Sequence, residues 1–205
     1  MAHKKVFLIR HGKTEGNERR AFIGRGTDEG LSEEGKKAAA AAGRGIMQEI
    51  GALPEHVFVS PMKRAQETAS ILFEGAEQIV IDDLAEIGFG ILEGKTHEEL
   101  SSDARYVSWL ESGGREEIPE GESRTDFSKR SFAGFLGTLG SCDRAESVVI
   151  VCHGGNIMAV FSELTGKDYY DFLTENLCGF CLDLETSDEG IRDLTWRRIG
   201  PWGAA

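Results

Sequence analysis

The sequence predicts an α/β fold in which a largely parallel sheet is covered by helices on both faces. Short apolar runs alternate along the chain with longer segments whose apolar residues recur at helical spacing. Several runs are apolar throughout, as strands buried on both faces are. The 205 residues, 40% of them hydrophobic, are enough for a substantial core, and a single domain over 1–205 is expected.

The first half of the chain contains three predicted strands and two helices. The strands are predicted at 4–10, 57–59 and 79–81. Between the first two, the glycine-rich, charged segment 11–31 is a predicted loop, and a loop of that length in a compact domain is more often functional than idle. Ser32 caps the first helix, and two glutamates follow it in the first turn. The second helix begins at Ser60-Pro61, with proline at the first helical position.

The second half continues the same alternation. Helices are predicted over 96–110, 123–139 and 156–164, and strands over 147–152, 178–184 and 191–199. Thr96 and Glu99 have the spacing of a capping box, which marks the start of the first of these helices. The polar segment 111–122 is a predicted loop, and 186–190 is a turn that joins the last two strands.

The acidic composition limits the kinds of partner. With 23 basic and 35 acidic residues, the net charge is −12, which argues against nucleic acid and anionic membranes as general partners. No apolar stretch approaches the ~20 residues that span a membrane. The apolar run after the basic N-terminus is too short for a signal peptide. A cytoplasmic location is therefore expected, and a homodimer is left open.

The cysteines favour a structural role. Cys152 lies in an apolar run and is expected to be a buried thiol. Cys178 and Cys181 have C-x-x-C spacing, but a metal site would require two further ligands, and the sequence has no second pair. Two strand or turn thiols are the favoured interpretation, and metal or redox function is the alternative.

Two predicted strands end in His-Gly. The run 6–9 is followed by Arg10 and His11, and the run 147–152 is followed by His153. If both strands are parallel members of one sheet, both imidazoles lie at the same edge, where open α/β sheets bind their ligands. For the first pair taken alone, a solvated arginine and histidine at a strand end is the alternative.

These residues belong to a series of blocks that resembles the histidine phosphatase superfamily, the phosphoglycerate mutase-like proteins. The blocks are LIRHGKTEGN at 8–17, GRGTD at 24–28, SPMKRAQETA at 60–69, EIGFGILEG at 86–94, GES at 121–123 and VCHGG at 151–155. The resemblance covers residues 4 to about 185 and implies a three-layer α/β/α sandwich with a mostly parallel central sheet. The short phosphatases, such as alpha-ribazole phosphatase and fructose-2,6-bisphosphatase, are the most similar branch.

The resemblance also implies how a phosphate monoester would be bound. It assigns His11 the role of nucleophile, which would form a covalent phosphohistidine. Arg10 and Arg64 would hold phosphoryl oxygens with their multi-donor guanidiniums. His153 would be the second phosphate-binding histidine, and Gly154 would present its N–H to the anion at the start of a helix.

Glu86 is the expected general acid, which protonates the leaving alkoxide and afterwards activates water. That role requires its pKa to be raised by burial or by nearby phosphate. A solvated carboxylate is the alternative. Asn17 and Gly24 resemble further phosphate or substrate contacts. Because protein cations would hold the phosphate, no metal and no other cofactor is expected.

The function expected from this constellation is a metal-independent phosphomonoesterase acting on a small phosphorylated metabolite. A phosphoglycerate mutase, which would need 2,3-bisphosphoglycerate as cofactor, shares the same histidine chemistry and is the main alternative. The short separation of Glu86 and His153 favours the phosphatase, because mutases usually carry a longer insertion there. A catalytically inactive module that binds a phosphorylated ligand is a third hypothesis.

Two departures from the family pattern are visible. Lys13 replaces the usual Glu or Gln, and Ile91-Leu92 replaces a more usual aromatic step. Neither touches a proposed catalytic group. Substrate specificity is expected to lie in the loops 13–31 and 95–125.

Overall fold

A computed structural model describes residues 2–142, 147–187 and 190–200 of the chain. Among these residues six strands form one sheet with helices on both sides, as the sequence predicts. The strands are β1 (Ala2–Arg10), β2 (His56–Val59), β3 (Glu77–Val80), β4 (Ser147–Cys152), β5 (Gly179–Ser187) and β6 (Gly190–Ile199). Their spatial order is β3-β2-β4-β1-β5-β6.

Four of the strands are parallel and two are antiparallel. β3, β2, β4 and β1 pair in parallel, whereas β5 runs antiparallel to both β1 and β6. β1 lies directly beside β4, with Ile9 opposite Val151 and Arg10 opposite Cys152. The two His-Gly sequences therefore leave neighbouring strands at the same edge. The centre of the turn between β5 and β6, residues 188–189, lies outside the described residues.

The helices mostly follow the predicted pattern. They are α1 (Glu15–Glu18), α2 (Glu33–Ile50), α3 (Lys63–Leu72), α4 (His97–Leu100), α5 (Ala104–Glu111), α6 (Arg124–Ser141) and α7 (Gly154–Thr165), with 3₁₀ turns at Asp82–Leu84, Gly90–Leu92 and Tyr169–Phe172. Ser32 and Ser123 are N-caps, and the capping box at Thr96 forms as predicted. Within the described ranges, no helix has both the length and the apolar character to cross a membrane.

The predicted start of α3 is wrong. Pro61 does not occupy the first helical position, because α3 begins at Lys63 and its N-cap, Met62, makes no side-chain capping bond. The Ser60 hydroxyl, which could have capped the helix, lies 2.7 Å from the Nε2 atom of His153 instead. Ser60, which the sequence predicts as the start of a helix, therefore contacts His153 at the edge of the sheet.

The helix predicted over 96–110 is interrupted. α4 ends at Leu100, and Asp103 caps α5 by accepting a hydrogen bond from the Arg105 N–H. An aspartate that bonds the backbone two residues ahead competes with a continuous helix. The predicted loop 11–31 likewise contains the short helix α1, which Thr14 caps.

The core lies on both faces of the sheet. Phe7 and Ile9 of β1 pack into the apolar cluster with α2 and α3, whereas Val6 and Leu8 pack into the cluster with α6 and α7. All four side chains are fully buried, as the period of two along a strand requires. The carboxyl ends of β1 and β4 are therefore held rigidly between two packed layers.

The cysteines occupy the predicted kinds of position. Cys152 is buried in β4, and burial raises the pKa of its thiol. Cys181 is buried in β5, and Cys178 immediately precedes that strand. Both are free thiols, in agreement with their interpretation as strand and turn residues.

Candidate functional site

Two histidines lie side by side where β1 and β4 leave the sheet. The ring centroids of His11 and His153 are 4.9 Å apart, and the rings meet edge to face at 62°. Only 3% of His11 and none of His153 is exposed. The parallel pairing of β1 with β4 thus brings together the two imidazoles that the sequence placed at one edge.

The hydrogen bonds of His11 determine its tautomer. Its Nδ1 atom is 2.6 Å from the carbonyl oxygen of Gly12. Because a carbonyl can only accept, Nδ1 carries the proton and Nε2 keeps a lone pair. Burial, assisted by the charges of Arg64 and Arg10, lowers the pKa of His11 well below its ordinary value. His11 is therefore a neutral imidazole with a free basic nitrogen.

His153 has the opposite arrangement of its ring nitrogens. Its Nε2 atom is 2.7 Å from the Ser60 hydroxyl, which also accepts the Met62 N–H. Where the hydroxyl donates to Nε2, the imidazole proton is on Nδ1. That atom is buried and has no partner in the described part of the chain. Burial, then the Arg64 charge, lowers the pKa of His153 well below its usual value.

The two arginines occupy different positions. Arg10 lines a cavity beside His11 and donates to the carbonyl of Thr174 at 2.6 Å. Arg64 is fully buried, does not line that cavity, and donates to three backbone carbonyls of the loop 23–27 at 3.0–3.4 Å. The Nε atom of each is buried without a partner in the described residues, so each has an unused N–H donor.

Gly24 lies outside the cavity lining. Its N–H donates to Glu93 at 3.0 Å, and its carbonyl accepts from Arg64 at 3.1 Å. The structure therefore does not support a phosphate contact through its amide. A Cβ at this position would collide with the Ile87 carbonyl, which explains the glycine.

Asn17 and Gly154 both line the cavity beside His11. The Asn17 Oδ1 atom accepts from the Thr14 N–H and from the Asn176 amide, both at 3.3 Å. Its own amide N–H groups remain as donors. Gly154 opens α7, so its N–H points out of the first turn, as the backbone donors of anion sites do.

Glu86 is almost completely buried, with 8% exposed, and lines the same cavity. Its carboxylate oxygens accept the Ile87 N–H at 2.9 Å and the Gly155 N–H at 3.3 Å. Burial raises the pKa of Glu86, although these bonds and the charges of Arg64 and Arg10 oppose the rise. A Cβ at position 155 would collide with this carboxylate. Glu86 therefore has the raised pKa that a general acid requires.

Sequence reasoning missed the residues that brace these groups. Arg130 of α6 donates to three carbonyls in the segment 83–86 and forms a bidentate pair with Glu122 at 2.6 and 2.7 Å. Glu122 also accepts the Gly88 N–H. The GES block contained Glu122, but no local signal marked Arg130. Together they fix the loop that carries Glu86.

The segment 174–178 braces the other side of the site. Its backbone accepts from Arg10 twice, and the Asn176 amide donates to the His11 carbonyl at 2.9 Å. Leu177 adopts a left-handed conformation (φ 62°) from which its N–H bonds the Arg10 carbonyl. A polar stretch before a strand was the only sequence signal, and it is common to many loops.

The cavity has a volume of about 270 Å³ and two chemically different parts. We call one part the polar end; it consists of Arg10, His11, Asn17, Glu86, Gly154 and Gly155. We call the other part the apolar wall; it consists of Phe22, Phe89, Trp109, Ile118, Tyr169 and Leu173. The polar end offers hydrogen-bond donors, a neutral imidazole and a buried carboxyl group, and the apolar wall offers mainly hydrophobic surface.

Comparison with known proteins relates this site to phosphoryl chemistry. The family model described as "Histidine phosphatase superfamily (branch 1)" matches residues 6–195. The 2,3-bisphosphoglycerate-dependent phosphoglycerate mutase of Bartonella henselae is 30% identical over 183 residues, 85% of this chain and 87% of that protein. A solved phosphoserine phosphatase from Entamoeba histolytica, in complex with 3-phosphoglyceric acid, is 29% identical with a TM-score of 0.73, covering 94% of this chain and 95% of that one.

The fold itself is shared more widely. The alpha-ribazole phosphatase from Shigella flexneri superposes with a TM-score of 0.76 at 22% identity, covering 91% of this chain and 93% of that one. At that identity the likeness shows the fold alone. The relatives include both phosphatases and a mutase, so the comparisons agree with either kind of phosphoryl-transfer enzyme.

Proposed function

The chain belongs to branch 1 of the histidine phosphatase superfamily, and we propose that it hydrolyses phosphate monoesters through a phosphohistidine on His11. The observation that carries this proposal is the His11 tautomer. Its Nδ1–H is held by the Gly12 carbonyl, so the Nε2 lone pair is free in a cavity that Arg10 and Glu86 also line. A nucleophilic imidazole requires that arrangement.

The proposed reaction has two steps. In the first, Nε2 of His11 attacks phosphorus, the bond from phosphorus to the alcohol oxygen breaks, and Glu86 gives its proton to that oxygen. In the second, the Glu86 carboxylate takes a proton from water, whose oxygen attacks the phosphohistidine. Inorganic phosphate leaves, and both His11 and Glu86 return to their starting protonation states.

The surrounding donors stabilise the transferred group. Charge on the non-bridging oxygens is met by Arg10 in the cavity lining, while Arg64 adds positive charge from outside the lining. The His153 ring, 4.9 Å from that of His11, offers its Nδ1, which has no partner among the described residues. The N–H groups at the start of α7 add a partial positive charge. Because these protein groups supply the positive charge, the proposal includes neither a metal nor another cofactor.

Hydrolysis is favoured over mutase activity by the apolar wall. A mutase must retain a bisphosphorylated intermediate, whose second anionic group needs its own cations. Outside the polar end, the described cavity lining carries one basic residue, Arg124, and one acidic residue, Glu116. That pair is a poor site for a second phosphate. The Bartonella relative nevertheless makes mutase activity the alternative to test.

The test consists of two assays. The first measures phosphate release from a panel of phosphorylated metabolites in EDTA, and the second measures conversion of 3-phosphoglycerate to 2-phosphoglycerate in the presence of 2,3-bisphosphoglycerate. We expect phosphate release that EDTA leaves unchanged and that His11→Ala abolishes. Strong mutase turnover, or strict dependence on an added divalent metal, would overturn the proposal. If wild type and His11→Ala release phosphate at the same rate, the release does not depend on His11, which would refute the mechanism and support the inactive-module hypothesis.

A further inference from the structure

The apolar wall indicates which alcohol the site accepts. On the basis of the proposed hydrolase function, we propose that the preferred substrate is the phosphate monoester of a hydrophobic alcohol, with an aromatic ring preferred. The phosphoryl group would lie at the polar end, and the body of the alcohol would lie against the apolar wall. The inference deepens the proposed function by naming its substrate class.

Aromatic side chains form one side of the wall. Phe22 packs against Phe89 at 5.3 Å and against Trp109 at 6.0 Å between ring centroids, both with tilted or perpendicular rings. The three rings come from different parts of the chain and all line the cavity. Edge-to-face and offset contacts of this kind favour another aromatic ring in the space beside them.

The charges in the wall disfavour compact, highly charged substrates. Glu116 adds a carboxylate to the lining, which opposes a second anionic group. The Arg124 guanidinium lies over the Tyr169 ring, 5.6 Å from its centroid, and is the one basic side chain of the described lining outside the polar end. A second phosphate or carboxylate on the substrate would therefore meet one cation and one anion.

The rim of the cavity is hydrophobic as well. Leu173 has 59% and Tyr170 44% of its surface exposed, and both line the cavity. Large apolar side chains left open at the mouth of a pocket mark a place where a hydrophobic body binds. An alcohol longer than the cavity would cover this exposed surface.

The substrate test uses esters whose leaving groups have nearly equal basicity, so that only apolar contact changes. The series is ethyl, propyl, butyl and benzyl phosphate, assayed in EDTA beside phosphoserine and 3-phosphoglycerate. We expect kcat/KM to rise roughly fourfold per buried methylene, since each contributes ~0.8 kcal/mol, and benzyl phosphate to exceed ethyl phosphate by at least ~30-fold. A flat series, or phosphoserine or 3-phosphoglycerate exceeding benzyl phosphate, would overturn the inference.

Variants of the wall provide the matched control. Trp109→Ala should lower kcat/KM for benzyl phosphate about tenfold and leave ethyl phosphate within about twofold, because an ethyl group has little apolar surface to bury against the indole. Leu110→Ala, the next residue on α5, does not line the cavity and should change neither substrate. An equal loss for both substrates in a folded Trp109→Ala protein would contradict the inference.

A second variant covers the case in which Trp109→Ala fails to fold. Leu173→Ala removes an exposed side chain and leaves its backbone bond to Arg198 in place. It should lower the benzyl-to-ethyl ratio about threefold, and an unchanged ratio would count against the inference. The two proposals fail differently: a flat ester series with inactive His11→Ala refutes only the substrate class, whereas active His11→Ala refutes the hydrolase mechanism.

Discussion

The polar end and the apolar wall of the cavity are built in different ways. Most of the polar end stands on β1 and α7, where the parallel pairing of β1 with β4 and the packed core fix the positions of His11 and Gly154, while Asn17 joins from α1 and Glu86 from a loop that Arg130 holds. The wall is assembled from loops and short helices, such as the one that carries Trp109. On the proposed mechanism, the rigid sheet edge and the braced Glu86 loop would carry the chemistry, and the loops and short helices of the wall would select the alcohol. Changes at the polar end should therefore lower kcat/KM for ethyl and benzyl phosphate by the same factor and leave the benzyl-to-ethyl ratio unchanged.

Among the variants that test the independence of the polar end and the apolar wall, Glu86→Gln should have the largest effect. It removes the proton donor, so kcat/KM for ethyl and benzyl phosphate should fall about 10²- to 10³-fold with their ratio unchanged. For p-nitrophenyl phosphate, whose leaving group needs no proton, the fall should stay below about tenfold. Glu111→Gln, an exposed carboxylate at the end of α5, serves as the control. An equal loss for all three substrates would show that Glu86 is not the acid.

The pH profile sharpens the comparison, because both limbs should arise at the polar end. His11 works when neutral, and its lowered pKa extends that state well below the usual imidazole range of about pH 6.5. Glu86 works when protonated, and its raised pKa extends that state upward. We expect kcat/KM for alkyl phosphates to persist on the acid side and to fall about tenfold per pH unit above the Glu86 pKa.

Ethyl and benzyl phosphate should share both limbs, and Glu86→Gln should remove the alkaline one. Titration of kcat/KM over a wide pH range measures this. An acid limb centred near pH 6.5 that belongs to the enzyme would contradict the low pKa assigned to His11.

A smaller effect is expected from Arg130→Met. The substitution removes the bonds to the segment 83–86 and leaves the Glu122 carboxylate unpaired, so the loop that carries Glu86 should loosen. We expect kcat/KM for ethyl phosphate to fall about tenfold, with little change for p-nitrophenyl phosphate and an unchanged benzyl-to-ethyl ratio. Lys129→Met, at the exposed neighbouring position, is the control. A changed benzyl-to-ethyl ratio would show that the two parts of the cavity are not independent.

The polar end was largely predictable from the sequence. Two apolar runs that end in His-Gly leave few alternatives once they pair in parallel, and β1 and β4 do so in register. The position of Arg64 was harder to predict. It lies outside the cavity lining and donates to carbonyls of the loop 23–27, including the carbonyl of Gly24. Such indirect positions depend on how a loop folds back, which local patterns do not determine.

The apolar wall could not be predicted in the same way. The sequence placed specificity in the loops 13–31 and 95–125, and Phe22 and Trp109 do come from them. Their convergence depends on the break that Asp103 introduces between α4 and α5, where periodicity predicted one continuous helix. The capping bond of Asp103 and the packing of Trp109 against Phe22 and Tyr106 together place the indole, and a pattern of hydrophobic residues does not reveal either.

The central claim is that His11 carries the phosphoryl group, and trapping that intermediate tests it most directly. Substrate with a radiolabelled phosphoryl group is mixed rapidly with the enzyme, and the reaction is quenched in base. The protein is then digested, and the labelled peptide is identified by mass spectrometry. The account predicts base-stable, acid-labile label on His11 in the wild type and none in His11→Ala. Phosphate release without any label on His11, or label on another residue, would contradict it.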